Sequence, residues 1–139
     1  MTVKELSQLY WLNREIELDQ ERLAELEQKA SSVSSPNLSG VPGGSNYFSS
    51  KIERYVADIV DLQMIIQAKQ QQCIHERNRL ERYISDIPDS LTRQIFTLRF
   101  INGLPWLQVA LHIGGNNTEA SVKMMCYRYL DKVKASESE

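Results

Sequence analysis

Residues 94–133, QIFTLRFINGLPWLQVALHIGGNNTEASVKMMCYRYLDKV, decide the fold. Just upstream, Asp89 follows Pro88 and is placed to cap a helix, with Ser90 as a competing cap. Leu91, Ile95, Phe96 and Leu98 then form an apolar face over residues 89–101, which Asn102-Gly103 closes. Pro105 suits a helix start, where its missing N–H costs nothing. Trp106, Val109, Ala110 and Ile113 mark a short second helix ended by Gly114-Gly115. After the polar turn Asn116-Asn117-Thr118, a third helix turns Val122, Met125 or Cys126, Tyr129, Leu130 and Val133 inward. Three short helices with a glycine-containing turn between the last two describe a helix-turn-helix over residues 88–134.

Upstream the pattern changes to heptads. Leu9, Leu12, Ile16, Asp19, Leu23, Leu26 and Ala30 alternate steps of three and four, a seam with one polar interruption, and predict a helix over residues 3–30. Glu25 and Lys29 stand at the favourable i,i+4 order. Ile52, Ile59, Ile66, Cys73, Leu80 and Ile87 occupy every seventh position of a second seam, with Tyr55, Leu62 and Tyr83 at alternate positions and Lys69 and Glu76 interrupting. Ser49 is the expected N-cap, and Pro88 stops the helix. The 20 residues between the seams, SSVSSPNLSGVPGGSNYFSS, hold eight serines and two of the four prolines and read as a flexible linker over residues 31–50. Its glycines lack the Gly-Lys-Ser/Thr ending of a phosphate-binding loop.

Two seamed helices on a loop predict an antiparallel, coiled-coil-like hairpin over residues 1–87. At 1.5 Å per residue the first helix reaches ~42 Å and the second ~57 Å, so Leu80, Tyr83, Ile84 and Ile87 must bury elsewhere. Tyr10, Trp11, Val56, Val60, Met64 and Ile65 widen the apolar stripe beyond a two-helix seam. They are the expected surface of a homo-oligomer; the alternative is a monomeric helical domain whose core is the seam. The fold class is therefore all-α, a long hairpin followed by a three-helix unit, with residues 135–139 as a disordered acidic tail.

Composition bounds the function. The chain has 139 residues, 42% hydrophobic and 24% charged, with a net charge of −2, as expected for one folded domain or two small pieces sharing a core. Residues 1–87 carry 10 Lys/Arg against 13 Asp/Glu, whereas residues 88–134 carry 6 against 3, a positive unit behind an acidic stalk. MTVKELSQLYWL has no basic region followed by an apolar core, and no run of 18 apolar residues occurs, so neither a secretory leader nor a membrane span is expected and the default location is cytoplasmic. Cys73 and His75 lie roughly 200° apart around a helix. With Cys126 and His112 the only other such residues, no metal site and no disulfide framework are expected. No nucleophile has an adjacent base and no cofactor loop is present, so no enzyme, catalytic residue or cofactor is expected. His112 is taken as a surface histidine.

The 94–133 stretch resembles region 4 of bacterial sigma factors, through Leu98-Arg99-Phe100, Asn102-Gly103, Val109-Ala110, Ile113-Gly114, Ser121-Val122-Lys123 and Arg128-Tyr129-Leu130. Leu107-Gln108 stand where sigma factors often carry an acidic pair. The whole chain resembles small phage- and prophage-encoded proteins of this type, and more loosely the ArpU-type and RinA-type late-gene regulators. The resemblance implies a DNA-binding transcriptional regulator in the cytoplasm of a bacterial host, with double-stranded DNA as partner and host RNA polymerase as a further contact. Carried over, Asn116, Asn117 and Thr118 start the reading helix, Glu119, Ala120, Lys123 and Met124 face the bases, and Tyr127 and Arg128 face the backbone. Helical spacing agrees, since 120, 123, 124 and 127 share a face opposite 122, 126, 129 and 133. Two alternatives stand beside it: a DNA-packaging component resembling small terminase subunits, and a protein-docking module that touches no nucleic acid.

Overall fold

A computed structural model describes residues 1–34 and 44–138, and among them every regular element is helical, with no strand. The elements are α1 (Val3–Leu6), α2 (Gln8–Ser34), α3 (Gly44–Ser85), α4 (Ser90–Phe96), α5 (Trp106–Ile113) and α6 (Glu119–Glu137). The all-α expectation holds. A wide π-type turn, Thr97–Ile101, prolongs α4.

Two compact units partition the chain: residues 1–12 with 73–139, and residues 13–72. These do not coincide with the expected division at residue 87. The reason is packing: Leu6, Leu9, Leu80, Ile84 and Ile87 belong to the same core as Ile95, Phe96, Val109 and Val122. Leu80, Ile84 and Ile87, expected to need cover, find it there.

In the first unit the local chemistry of each helix end is explicit. Thr2 and Glu5 form a capping box, Glu5 N–H donating to Thr2 Oγ1 at 3.2 Å and Thr2 N–H to Glu5 Oε2 at 3.3 Å. The helix expected to run unbroken from residue 3 is interrupted at Ser7, the C-cap of α1. The Asp89 carboxylate accepts from Thr92 N–H at 3.0 Å and from the Thr92 hydroxyl at 2.7 Å, so Asp89 rather than Ser90 caps α4. Arg93 Nη1 donates to the carbonyls of Ile87 (2.7 Å) and Pro88 (3.0 Å), tying α4 to the segment that leaves α3. The core is aromatic at its centre: the fully buried Phe96 ring meets Phe100 edge-on at 5.3 Å and Tyr129 at 5.5 Å. The Tyr83 hydroxyl is buried among these groups with no hydrogen-bond partner among the described residues, and burial pushes its pKa up to about 12.

The π turn begins at Thr97, whose hydroxyl donates back to the Arg93 carbonyl at 2.8 Å, a competing bond of the kind that bends helices. Asn102 N–H then reaches the Thr97 carbonyl at 3.0 Å and Leu104 N–H that of Leu98 at 3.1 Å. Gly103, at φ 70°, makes the exit turn.

In the second unit the heptads are visible as burial. Ile16, Asp19, Leu62 and Ile66 are buried, and Leu23, Leu26, Ala30, Ile52, Tyr55, Ile59 and Lys69 are half-buried. Lys69 Nζ meets Asp19 Oδ2 at 2.5 Å and Glu15 Oε1 at 3.1 Å. Asp19, the polar interruption of the first seam, is therefore partnered by Lys69, one of the two interruptions of the second.

The ends of the helices differ from the linker and tail expectations. Residues 31–34 belong to α2 and 44–50 to α3, so Ser49 lies inside a helix; residues 35–43 lie outside the described residues. Extending an existing helix adds a backbone bond per residue without a new nucleus, which carries α2 into its serines. Likewise α6 continues to Glu137, so residues 135–137 are its last turn rather than a disordered tail. No Gly or Pro follows Gly115 to stop it, and Ser138 N–H closes the helix on the Lys134 carbonyl at 3.2 Å.

Candidate nucleic-acid interface

Helix α6 is set by its amino-terminal turn. Gly114 and Gly115 adopt φ 75° and 65°, conformations that L side chains avoid. Asn117 Nδ2 donates to the Gly114 carbonyl at 3.0 Å and so closes the turn instead of pointing outward. Thr118 and Ser121 form a reciprocal cap: Ser121 N–H donates to Thr118 Oγ1 at 3.1 Å and Thr118 N–H to Ser121 Oγ at 2.8 Å. The sequence anticipated Thr118 at the helix start but not the serine that completes the cap.

Beyond the cap, α6 divides cleanly. Val122, Cys126 and Leu130 are buried, while Glu119, Ala120, Lys123, Met124, Tyr127 and Arg128 are exposed, as is Asn116 in the turn. Burial raises the Cys126 thiol to about 12, which leaves it an inert core group. Of the nine candidate contact residues, seven thus lie open to solvent, Asn117 is half-buried in its turn, and Thr118 is exposed but has its hydroxyl engaged in the cap.

One side of this face is braced by a packing the sequence did not reveal. The Tyr127 ring lies 6.4 Å from Trp106, and the Arg99 guanidinium stacks over Trp106 at 4.6 Å while donating to the Leu104 carbonyl at 3.0 Å. Arg99 is therefore a structural cation, spent on its own unit. Also unforeseen is a pair of exposed leucines on α5, Leu107 (56% exposed) and Leu111 (71%), one turn apart. Their i,i+4 spacing on the side away from Trp106 and Val109 was the available signal.

Two clefts flank this unit. A wide one of about 570 Å³ runs between the end of α3, α4 with its π turn, and the end of α5, with Ile84, Leu98, Ile101 and Ile113 as apolar lining and Glu81 and His112 also lining it. Its Arg93 is already committed to backbone carbonyls. The other, of about 380 Å³, is lined by Tyr10, Trp11, Arg99, Phe100, Gly103 and Pro105. Tyr10 and Trp11 stack edge-to-face at 5.1 Å, with Trp11 62% exposed.

The six residues expected at an oligomer surface are all exposed and are divided between the two units. Tyr10 and Trp11 lie in the first unit, and Val56, Val60, Met64 and Ile65 in the second. Ile65 lines a third cleft with Arg22, Leu26, Asp58, Asp61 and Leu62, on the side of α3 that faces α2. Among the described residues no group of acidic, His and Cys side chains is arranged to hold a metal, and no helix is long and apolar enough to cross a membrane. Comparison with known protein families, characterised proteins and solved structures finds no match for this chain.

Proposed function

We propose that the chain is a DNA-binding regulator of transcription, phage-encoded in origin, in which α5 and α6 act as a helix-turn-helix and α2 and α3 as an antiparallel hairpin that assembles copies. The observation that carries the reading is the division of α6. A capped helix shows Lys123, Met124, Tyr127 and Arg128 on one open face and anchors the opposite face through Val122, Cys126 and Leu130. Such a helix can enter a major groove with its amino-terminal residues at base edges and its flanks at phosphates. The hairpin is supported within residues 13–72, where Glu15 and Asp19 meet Lys69 while Arg22 and Leu26 share a cleft with Asp58, Leu62 and Ile65: early α2 residues meet late α3 residues. The resemblance to sigma region 4 supports the same assignment, and host RNA polymerase is the further partner it suggests.

The test is binding of the full chain to mixed double-stranded DNA over a range of salt, wild type against Lys123→Ala plus Arg128→Ala. Each cation removed from a phosphate flattens the slope of log K against log salt by about 0.9, and binding at fixed salt weakens. Helicity stays unchanged, because both side chains lie outside the core. Binding and slope equal to wild type would remove α6 as the reading element.

A second reading is favoured by Leu107, Leu111 and the half-exposed Met124, which are more apolar than a DNA-facing unit requires. On that reading the unit docks a protein, and wild type shows no retention on DNA even at low salt.

A further inference from the structure

One exposed arc of α3 between residues 56 and 71 carries no charge. Taking about 100° per residue, Val56, Val60, Gln63, Met64, Gln67 and Gln71 fall within one arc of about 100°, and all six are exposed. The three charged residues of this segment lie elsewhere on the helix. Lys69 pairs with Glu15 and Asp19, and Asp58 and Asp61 line the cleft that Arg22 and Leu26 share. Over about four turns, then, this arc of α3 presents only aliphatic, thioether and amide groups. Glutamine runs on a simply solvated helix are ordinarily interspersed with Lys and Glu, as on α2 of this same chain, where Glu17, Glu21, Glu25 and Glu27 are exposed.

We propose that this face receives a second copy of the chain, α3 packing against α3. The inference rests on the assembly half of the proposed function and narrows it: Val56, Val60 and Met64 are at the interface, whereas Ile65, Tyr10 and Trp11 are not. Three features select a copy over an unrelated partner. First, among the described residues the buried ones of unit 13–72 are Ile16, Asp19, Leu62 and Ile66, a thin core for two long helices, so the open Val56, Val60 and Met64 (64% exposed) have a place to go. Second, each carboxamide both donates and accepts, so Gln63, Gln67 and Gln71 are complementary to themselves across a two-fold axis, where the same patch meets itself. Third, residues 1–87 carry 13 Asp/Glu against 10 Lys/Arg, so like copies repel through their charged faces and approach most readily through a neutral one.

Light-scattering mass of the full chain, measured without DNA, tests this. Wild type is expected at about twice the 16.0 kDa of one chain. Val60→Glu plus Met64→Glu places two carboxylates in the face and is expected to return the mass to that of a single chain, with far-UV helicity retained because both positions are solvent-exposed. Gln72→Glu, on the other side of α3, is expected to leave the doubled mass intact. A wild-type mass of one chain at the highest soluble concentration overturns the proposal, and so does any assembly that survives Val60→Glu plus Met64→Glu. DNA retention is measured separately on the same samples. A dimer that ignores DNA sinks the regulator and leaves this interface standing, while a monomer that binds DNA does the reverse.

Discussion

Asp19→Ala should expose how much of the 13–72 unit depends on one ion pair. Asp19 is buried, its side chain 8% exposed, and it accepts from Lys69, which is 21% exposed; Glu15, the other partner of Lys69, is 54% exposed. Removing one member of a buried pair costs about 3–5 kcal/mol when the other charge is stranded. Here Lys69 keeps Glu15 at 3.1 Å and partial access to water, so the cost falls to about 2 kcal/mol. For a chain of this length that lowers the Tm by roughly 6–8 °C. Asp19→Leu combined with Lys69→Leu behaves differently. It leaves no charge to desolvate, and apolar replacement of a buried pair is neutral or stabilising by about 1–4 kcal/mol. The double variant should therefore melt at or above wild type.

Its pH dependence supplies an independent check. Lys69 has its pKa raised above 10.5, chiefly by the hydrogen bond to Asp19 against an opposing desolvation. A group raised in the folded state contributes stability that is complete below its unfolded value and disappears as pH climbs through the folded one. Tyr83 and Tyr129, also raised by burial, erode stability in the same alkaline range, so the informative quantity is the difference between wild type and double variant. That difference should shift in favour of the double variant above pH 10.5. Thermal and urea denaturation followed by far-UV circular dichroism reads all of this. An Asp19→Ala protein as stable as wild type, or a double variant weaker than Asp19→Ala, would refute the assignment of the pair as a buried tie between α2 and α3.

Two further outcomes follow from the first unit. Gly103→Ala should cost about 1–2 kcal/mol through its φ of 70° alone, because the added Cβ would stand 3.5 Å from Tyr10 Cδ2, an ordinary contact; Gly103→Asn should recover part of that stability in the same melting assay. The Asp89 carboxyl is held below its usual 3.8, first by the Thr92 hydroxyl and then by the Thr92 N–H, so its capping contribution is present above that value and lost as pH falls through the lowered one. Asp89→Ala should accordingly melt lower than wild type at neutral pH and converge with it in acid.

What the sequence revealed followed from periodicity. The heptad positions Ile16, Leu23, Leu26, Ile59, Leu62 and Ile66 are buried or half-buried, and the inward residues Ile95, Val109, Val122, Cys126 and Leu130 are buried as spaced. The helical class and the open face of α6 were legible for the same reason, since a 3.6-residue repeat separates core from solvent without knowledge of tertiary partners. Boundaries were not legible. Serines and glycines weaken a helix locally, but α2 and α3 are long enough to carry those residues along, and the composition of 31–34 and 44–50 misdirected the reading. Nor could spacing reveal that Asp19 and Lys69, 50 residues apart, answer each other. Arg99 shows the same limit: in the sequence it is one more cation of a basic unit, and only its tertiary packing on Trp106 and its bond to the Leu104 carbonyl remove it from the surface charge available to a ligand.

That subtraction bears on the proposed DNA-binding role. With Arg93 bound to the Ile87 and Pro88 carbonyls and Arg99 to Leu104, two of the six Lys/Arg in residues 88–134 are internal ties. Among the residues proposed to contact DNA only Lys123 and Arg128 are cations, beside Glu119, while Lys132 and Lys134 are exposed further along α6. A single copy engaging DNA through those two cations would neutralise about two phosphates and bind weakly at physiological salt. Joining two copies converts the second binding event into an intramolecular one and multiplies modest affinities without new residues. On the proposed reading the sparse charge on α6 and the charge-free face on α3 act together, because pairing two copies strengthens a reading head poor in cations.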